Sequence, residues 1–210
     1  MAMFGANHEG RWDSNLAAAQ FDQHVENIKN KYKEASPEMM RGGHEWYAKA
    51  HDEAVRIGKG DHVKGAGIIA ALSPQTGWKR NIDMADELNR TGTTGTTQAN
   101  LIKAQRIHAG EDPHVVLGGH KVRAFFHNIA NPGSSHEITI DRHAHDIALG
   151  KPFVGNGNKS DNPGSHIGLG ALGRYQHFSH AYRKATEQLG VDLPHKVQAT
   201  TWVQHRGAVG

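Results

Sequence analysis

Two residues of this sequence have the type and the setting for covalent chemistry at an electrophilic carbon, Lys121 and Asp141. Lys121 follows the dipeptide Gly118-Gly119, which predicts a tight bend. Apolar residues at helical spacing after the bend predict a helix that begins at about His120. Because the positive end of a helix dipole disfavours an ammonium ion in the first turn, Lys121 is a candidate nucleophile.

Asp141 occupies a comparable position at the start of a second predicted helix. The alternating residues Ile138-Thr139-Ile140 predict a short extended segment, and Asp141 is then the N-cap of a helix from Arg142 to Leu149 that Gly150 ends. Purely structural interpretations stay open for both residues. Lys121 is then a solvated first-turn lysine, and Asp141 is only a helix cap.

The run His143-Ala144-His145-Asp146 is a candidate metal site that we do not expect to bind metal. Side chains at positions i and i+2 of a helix point about 200° apart, so the two imidazoles cannot share an ion without other elements. We expect His143 instead to support Asp141 or an interface between lobes. The chain contains no cysteine, which excludes disulfides and iron–sulfur clusters. We therefore expect no metal and no cofactor.

Composition and charge favour a partner that is a polyanion. The chain has 210 residues, a formal net charge of +3 and a sequence pI near 9.1. No apolar run approaches about eighteen residues, so we expect a cytoplasmic protein without membrane contact. We also expect a monomer. Seventeen histidines predict that nucleic-acid affinity rises on acidification below about pH 7.

The hydrophobic periodicity predicts an all-α chain of eight or so helices. Ser73 is expected to cap a helix that Pro74 opens, which places Gln75 at an exposed helix N-terminus. Residues 1–15 are expected to form a loosely docked arm, and the glycine-rich stretch 151–172 a long loop.

Trp46 and Tyr47 form an aromatic pair at helical spacing with Ala50 and Val55. They could stack on a nucleobase. Burial in the core is the favoured interpretation, because aromatic residues at helical spacing usually face inward.

Three stretches, in this order, resemble the helix-hairpin-helix DNA glycosylase superfamily of the endonuclease III type. The first, Leu72-Ser73-Pro74-Gln75, is similar to the Leu-Ser-x-Gln helix junction of that family. In the second, the glycine bend, Lys121 and an aspartate about twenty residues later match the hairpin and its catalytic pair. The third runs from Lys196 to Gly207 and resembles the last helix of the barrel, with its Trp and closing Arg-Gly. The resemblance covers about residues 65–207.

The resemblance implies a two-lobed helical fold with a central cleft, in which Lys121 attacks C1′ of a flipped nucleotide and Asp141 stabilises the cationic sugar. It also implies that Gln75 fills the gap left in the duplex. Together with neighbouring polar groups, it predicts DNA or base contacts for Ser73, Gln75, Trp78, Lys79, Gly118, Gly119, His120, Arg142, His143 and Arg206.

Three functions remain open. The first is a DNA glycosylase, with or without lyase activity. The second rests on two departures: the hairpin is two residues shorter than the family's Leu-Pro-Gly-x-Gly-x-Lys, and the iron–sulfur cysteines are absent. With these departures the chain resembles divergent phage proteins that keep the fold and add an amino acid or a polyamine to a hydroxymethyl-pyrimidine in DNA. This resemblance implies a bacterial or phage-infected host cell. The third is a DNA-binding module without catalysis.

Overall fold

The computed structural model describes residues 14–151 and 172–207, and all regular secondary structure in these ranges is helical. The all-α prediction is therefore confirmed for the described residues. Their ten helices are α1 (Ser14–Lys33), α2 (Pro37–Ile57), α3 (His62–Leu72), α4 (Trp78–Thr91), α5 (Gln98–His108), α6 (Pro113–Val116), α7 (His120–Ala130), α8 (Arg142–Leu149), α9 (Leu172–Leu189) and α10 (Pro194–Arg206).

The chain divides into two compact units. Unit 1 consists of residues 1–45 and 138–210, and unit 2 consists of residues 46–137. The boundary between them in sequence falls inside α2, between Glu45 and Trp46. Lys121 belongs to unit 2 and Asp141 to unit 1.

Unit 2 is built around α3, whose residues from Gly65 to Leu72 are all buried. Small side chains let its neighbours approach closely. A Cβ atom at Gly65 would lie 1.8 Å from the carbonyl oxygen of Ala54, and one at Gly67 would lie 2.6 Å from Pro113 Cγ. These contacts explain why glycine occupies two positions of a buried helix despite its unfavourable helix propensity.

Unit 1 packs α1 against α8, α9 and α10. Its core contains Phe178 and Tyr182 of α9, which are larger than any side chain of α3, and Ile28 of α1, and all three are fully buried. Ile138 and Ile140 of the extended segment before α8 belong to the same core. Thr139 between them is buried as well, so the segment has the predicted extended link but not an alternation of buried and exposed positions.

Ser73 differs from its predicted role. It is the C-cap of α3, and its hydroxyl donates to the carbonyl oxygen of Ala70 at 2.9 Å. The next helix begins only at Trp78, with Gly77 as N-cap. Pro74 therefore lies in the connection, where its missing N–H costs nothing.

The boundaries predicted for the other two helices are found in the structure, and α7 begins at His120. Asp141 caps α8 and Gly150 ends it in the left-handed conformation. Four residues are too few to display helical periodicity, so the sequence does not predict α6. The expected arm, 1–15, lies outside the described residues except for two residues that begin α1, and the expected loop, 151–172, lies outside them except for its ends.

No helix within the described ranges is both long enough and apolar enough to cross a membrane.

Candidate nucleic-acid interface

The hairpin before α7 places Lys121 in the first turn of that helix. Gly119 is the N-cap and has φ +80°, a value in the region that favours glycine. A Cβ atom at Gly118 or Gly119 would meet nothing within 4 Å, so the bend is exposed and needs glycine for its backbone rather than for packing. Lys121 is half-buried, and α7 has no side-chain cap at Gly119.

Arg123 holds this hairpin from within α7. Its Nε donates to the carbonyl oxygen of Leu117 at 3.1 Å, and a terminal nitrogen donates to that of His114 at 2.7 Å. The guanidinium thus pairs carbonyl groups at and just after the end of α6 that the helix itself leaves unpaired. The sequence did not predict that Arg123, two residues after Lys121, would hold the hairpin in this way.

Half-buried aromatic rings from three helices form a surface on unit 2. Its members are Trp46 of α2, Trp78 at the start of α4 and Phe125 of α7, which we call the aromatic surface. The Trp46 ring centroid lies 5.0 Å from that of Trp78 and 6.1 Å from that of Phe125. Phe125 is four residues after Lys121, so both project from the same face of α7.

The aromatic pair predicted to be buried is divided between core and surface. Tyr47 is 2% exposed and packs against Phe125 at 6.3 Å, which confirms burial for this residue. Trp46 is only half-buried. The reason lies in helix geometry, because adjacent residues of α2 point about 100° apart and only one of them can face the core.

Gln75 stands out in the connection between α3 and α4 because its backbone has φ +59°, in the left-handed region. Its side chain is exposed. A turn supports this conformation, with the Thr76 amide donating to the Ser73 carbonyl oxygen at 3.2 Å. Non-glycine residues pay a conformational cost in this region and are enriched at functional sites, which keeps Gln75 a candidate.

Asp141 in unit 1 is a half-buried N-cap. Its Oδ1 accepts a hydrogen bond from the Ala144 amide at 2.8 Å. Oδ2 makes no hydrogen bond among the described residues, and it is the oxygen available to a ligand. The structural role is established by this geometry, and it leaves half of the carboxylate for chemistry.

Two tyrosines of α9 fix the backbone around Asp141. The Tyr175 hydroxyl donates to the Ile138 carbonyl oxygen at 2.7 Å and accepts from the Ile140 amide at 3.1 Å. The Tyr182 hydroxyl, seven residues later on the same face, donates to the Ala144 carbonyl oxygen at 3.0 Å. Burial is the main cause that raises the pKa of Tyr182. Sequence reasoning missed both tyrosines, since nothing in the sequence pairs them with residues about 35 positions away.

A cluster of aromatic and cationic groups joins the start of α8 to the end of α10. The His143 ring lies 6.4 Å from the Trp202 ring and 5.5 Å from the His205 ring. The Arg206 guanidinium carbon lies 5.1 Å from the centroid of Trp202, in cation–π range. This cluster brings the third sequence motif next to the residues that follow Asp141.

The pKa of His205 depends on burial and on the charged groups around this cluster. Burial lowers its pKa, and the positive charges of His143 and Lys31 lower it further. Asp146 and Asp141 act in the opposite direction. His205 is therefore within electrostatic range of both carboxylates of the α8 region.

A buried polar network lies in the core of unit 1. His24 Nδ1 and His177 Nε2 are hydrogen-bonded at 2.8 Å, and Arg174 donates to His145 Nε2 at 2.9 Å. The remaining nitrogen of His145 lies 3.4 Å from Asp146 Oδ1. Burial is the largest cause that lowers the pKa of His24 and His177, each to about 4, and it lowers that of Arg174 to about 10.

The charge gain on acidification is smaller than the seventeen histidines predict. In the described residues, burial is the first cause of a lowered pKa for His24, His44, His108, His127, His145, His177 and His205. These imidazoles take up protons only at lower pH. The predicted rise in nucleic-acid affinity below about pH 7 is therefore smaller than seventeen unperturbed imidazoles would give.

A pocket of about 390 Å³ opens in unit 1 between α1, the C-terminal half of α8 and the end of α10. Side chains of both charge signs line it: Lys31, Glu34, Asp146, Lys151 and His205. No group of three or more His, Asp or Glu side chains in the described ranges is arranged to hold a metal ion. His143 and His145 differ as helix geometry requires, since the first is half-buried and the second fully buried.

The predicted site residues fall into two sets, one in each unit. Unit 2 contains Ser73, Gln75, Trp78, Lys79, Gly118, Gly119, His120 and Lys121, and unit 1 contains Asp141, Arg142, His143 and Arg206. Lys79 is 90% exposed and pairs with Asp83 at 3.0 Å. The structure brings Trp78 next to Trp46, and it brings His143 and Arg206 together around Trp202.

In the part of the chain that the structure describes, the regular secondary structure is all helical, and both units have exposed or half-buried cationic and aromatic groups. The chain belongs to a family described as a family of unknown function (DUF7178), whose model matches residues 12–209. No curated protein and no solved structure matches it.

Proposed function

We propose that this protein acts on a single nucleotide of DNA, as a glycosylase in which Lys121 is the nucleophile and Asp141 the stabilising carboxylate. The setting of Lys121 carries the proposal: a first-turn lysine directly after a glycine bend, on the helix face of a half-buried aromatic ring. A flipped base loses its stacking neighbours, and aromatic rings replace them. The two-lobed glycosylase architecture with a central cleft is part of the same proposal.

In this reaction the neutral amine of Lys121 attacks C1′ of the sugar. The bond between C1′ and the base nitrogen breaks, and the base leaves with the electron pair and takes up a proton. Asp141 remains ionised and stabilises positive charge on the sugar while this bond breaks. The attached nitrogen then loses one proton, and the C1′–O4′ bond breaks while O4′ takes up a proton. The opened sugar is now joined to Lys121 by a protonated imine at C1′, from which elimination cuts the strand or water releases the sugar.

The test uses duplexes that contain uracil, oxidised, alkylated or hydroxymethylated bases. We expect free base from one of them, and borohydride should trap a covalent protein–DNA adduct. Lys121→Gln should abolish the adduct, while Lys59→Gln, a variant of an exposed lysine in the same unit, should retain it. A full yield of adduct from Lys121→Gln would exclude Lys121 as the nucleophile.

Asp141→Asn separates catalysis from capping. Asparagine is about as good an N-cap as aspartate, so the stability of the fold should change little. The missing charge should lower the rate by about 100-fold or more. If the folded fraction of this variant keeps its specific activity, Asp141 is only a cap.

One observation favours a second candidate function, modification of a base with its glycosidic bond intact. The pocket of about 390 Å³ in unit 1 is within the usual size range of small-molecule sites, and groups of both charge signs line it. An amino acid carries charges of both signs, and the ammonium groups of a polyamine could pair with Glu34 and Asp146. Mass analysis of the same duplexes decides, since a mass-shifted nucleoside instead of free base supports this candidate. Binding with neither product supports the DNA-binding module.

A further inference from the structure

The aromatic surface of Trp46, Trp78 and Phe125 differs from the other large apolar groups of the molecule. Most large apolar side chains of the described residues are buried, and the clearly exposed ones, Val55, Ile102 and Val115, are aliphatic. Three rings from three different helices meet at half-buried positions, with Trp46 in the middle. Because burying such rings completely is worth several kcal/mol, a half-buried group of them suggests a ligand with a flat apolar face.

The charges around this surface are those that a nucleic acid requires. Lys79 and Arg80 follow Trp78 directly in the first turn of α4, and Lys121 lies one turn before Phe125 on α7. Lys79 pairs with Asp83 and Arg80 donates to the Gly95 carbonyl oxygen at 3.3 Å, yet both side chains are exposed. Cations beside aromatic faces form the usual arrangement for binding unpaired bases and their phosphates.

We propose that Trp78 and Phe125, joined through Trp46, form a stacking site for one unpaired nucleobase of DNA, with Lys79, Arg80 and Lys121 facing its phosphates. This inference rests on the proposed function, since it takes DNA as the ligand. It adds that the bound base is unpaired. The base must be unstacked, since a base inside a duplex presents only its edges. Selectivity for base identity is not expected from stacking alone, because every base has an aromatic face.

The test compares two oligonucleotides with the same phosphates. One is an oligo-dT of about twelve nucleotides, and the other is the same chain with every base replaced by an abasic analogue. Stacking of one base changes affinity by roughly 5- to 150-fold, so we expect the wild-type protein to bind the dT chain more tightly by a factor in this range. Only the dT chain should quench tryptophan fluorescence.

Two variants and one control assign the preference to this surface. Trp78→Ala and Phe125→Ala should each reduce the ratio of the two dissociation constants, whereas Val115→Ala, an aliphatic side chain of the same unit that is 75% exposed, should leave it unchanged. Raising the salt concentration should weaken both chains equally and leave the ratio in place, because stacking does not release counterions. Circular dichroism checks the fold of each variant, and the quenching comparison in the wild-type protein needs no variant.

The outcomes separate this inference from the proposed function. A dT preference that Trp78→Ala removes, without any base release or trapped adduct, supports the stacking site and overturns the glycosylase reaction. Base release together with equal affinity for the two chains supports the glycosylase reaction and overturns the stacking site. Equal affinity, no binding of either chain, or a change of oligomeric state in Trp78→Ala by ultracentrifugation would overturn the stacking site, the last because it would mark an interface between copies.

Discussion

The hairpin before Lys121 is held by residues close to it in the chain, whereas the segment before Asp141 is held by a distant helix. Arg123 reaches back only a few residues to hold the hairpin, and Gly119 supplies the backbone bend. The segment before Asp141 is held by Tyr175, which comes from another helix 35 or more residues later. One candidate catalytic residue thus depends on local structure, and the other depends on tertiary packing.

The surroundings of the two regions differ in the same sense. The Gly118-Gly119 bend is exposed and has no side chain packed against it. The helix that follows Asp141 contains His145 and Asp146, which take part in the buried polar network of unit 1. Buried polar networks respond to pH and to the loss of any member. We therefore expect the Asp141 region to be sensitive to perturbations that leave the Lys121 hairpin unchanged.

The largest expected difference appears on acidification. His24 and His177 have pKa values of about 4, below the ordinary 6.5, so the unfolded chain binds more protons between these values and the free energy of unfolding falls as pH falls through that window. Their shared hydrogen bond also requires at least one neutral imidazole. We expect a loss on the order of 3 kcal/mol between pH 6.5 and 4. Hydrogen exchange, corrected for intrinsic rates, should show it in α1, α8 and α9 and not in α7.

A pair of substitutions provides the control for this pH effect. His24→Asn with His177→Gln keeps amide groups near the two bonded nitrogens and removes the titration, so the pH dependence should become flatter. His180→Gln, an exposed histidine on α9, should keep most of it. Equal loss of protection in both units of the wild-type protein would contradict the comparison.

Tyr175→Phe should have the next largest effect. It removes the hydroxyl that serves the Ile138 carbonyl and the Ile140 amide, and leaves both without that partner in the core. The expected cost is about 2 kcal/mol in the free energy of unfolding, measured by urea denaturation. Tyr182→Phe removes one hydrogen bond and should cost less. If Asp141 acts as proposed, Tyr175→Phe also lowers activity, since it loosens the segment that places the carboxylate.

Arg123→Met tests the local clamp of the hairpin. The variant keeps most of the aliphatic stem and removes both hydrogen bonds to carbonyl oxygens, so we expect a loss of about 1.5 kcal/mol. The effect should be confined to α6 and the start of α7 in hydrogen exchange. A loss of protection that extends through α3 would show that the hairpin is coupled to the core of unit 2 after all.

The smallest expected effect distinguishes the two glycines of the bend. Gly119→Ala must adopt φ +80°, which should cost about 1 kcal/mol. Gly118 has open space around it and no positive φ, so Gly118→Ala should change the stability by less than about 0.5 kcal/mol. Thermal unfolding of the two variants measures the difference, and equal effects would refute the conformational argument.

Much of the helical framework could be predicted from the sequence because its signals are local. Asp141 and Gly150 cap α8 where capping preferences predict them. The prediction that Ser73 begins a helix was wrong because two local signals compete there. Ser-Pro is a common helix start, but α3 continues to Leu72 and uses Ser73 as its C-cap. The packing of the buried helix α3 therefore outweighs the local preference of Ser-Pro for a helix start.

The candidate site could be predicted only in part. The positions of Lys121 and Asp141 at helix starts followed from glycine and N-cap signals. The division of Trp46 and Tyr47 between surface and core required the direction in which α2 packs. The pairing of His143 with Trp202, some sixty residues later, left no trace in one sequence.

The sequence by itself determined the glycine bend before Lys121, the capping carboxylate of Asp141 and the end of α8 at Gly150, because each depends on hydrogen bonds and backbone angles within a few residues. Only the tertiary structure decided that Tyr175 holds the Asp141 segment, that three rings form the aromatic surface, and that seven histidines have lowered pKa values. These properties depend on burial and on contacts between residues far apart in the chain, and no short stretch of sequence contains both partners.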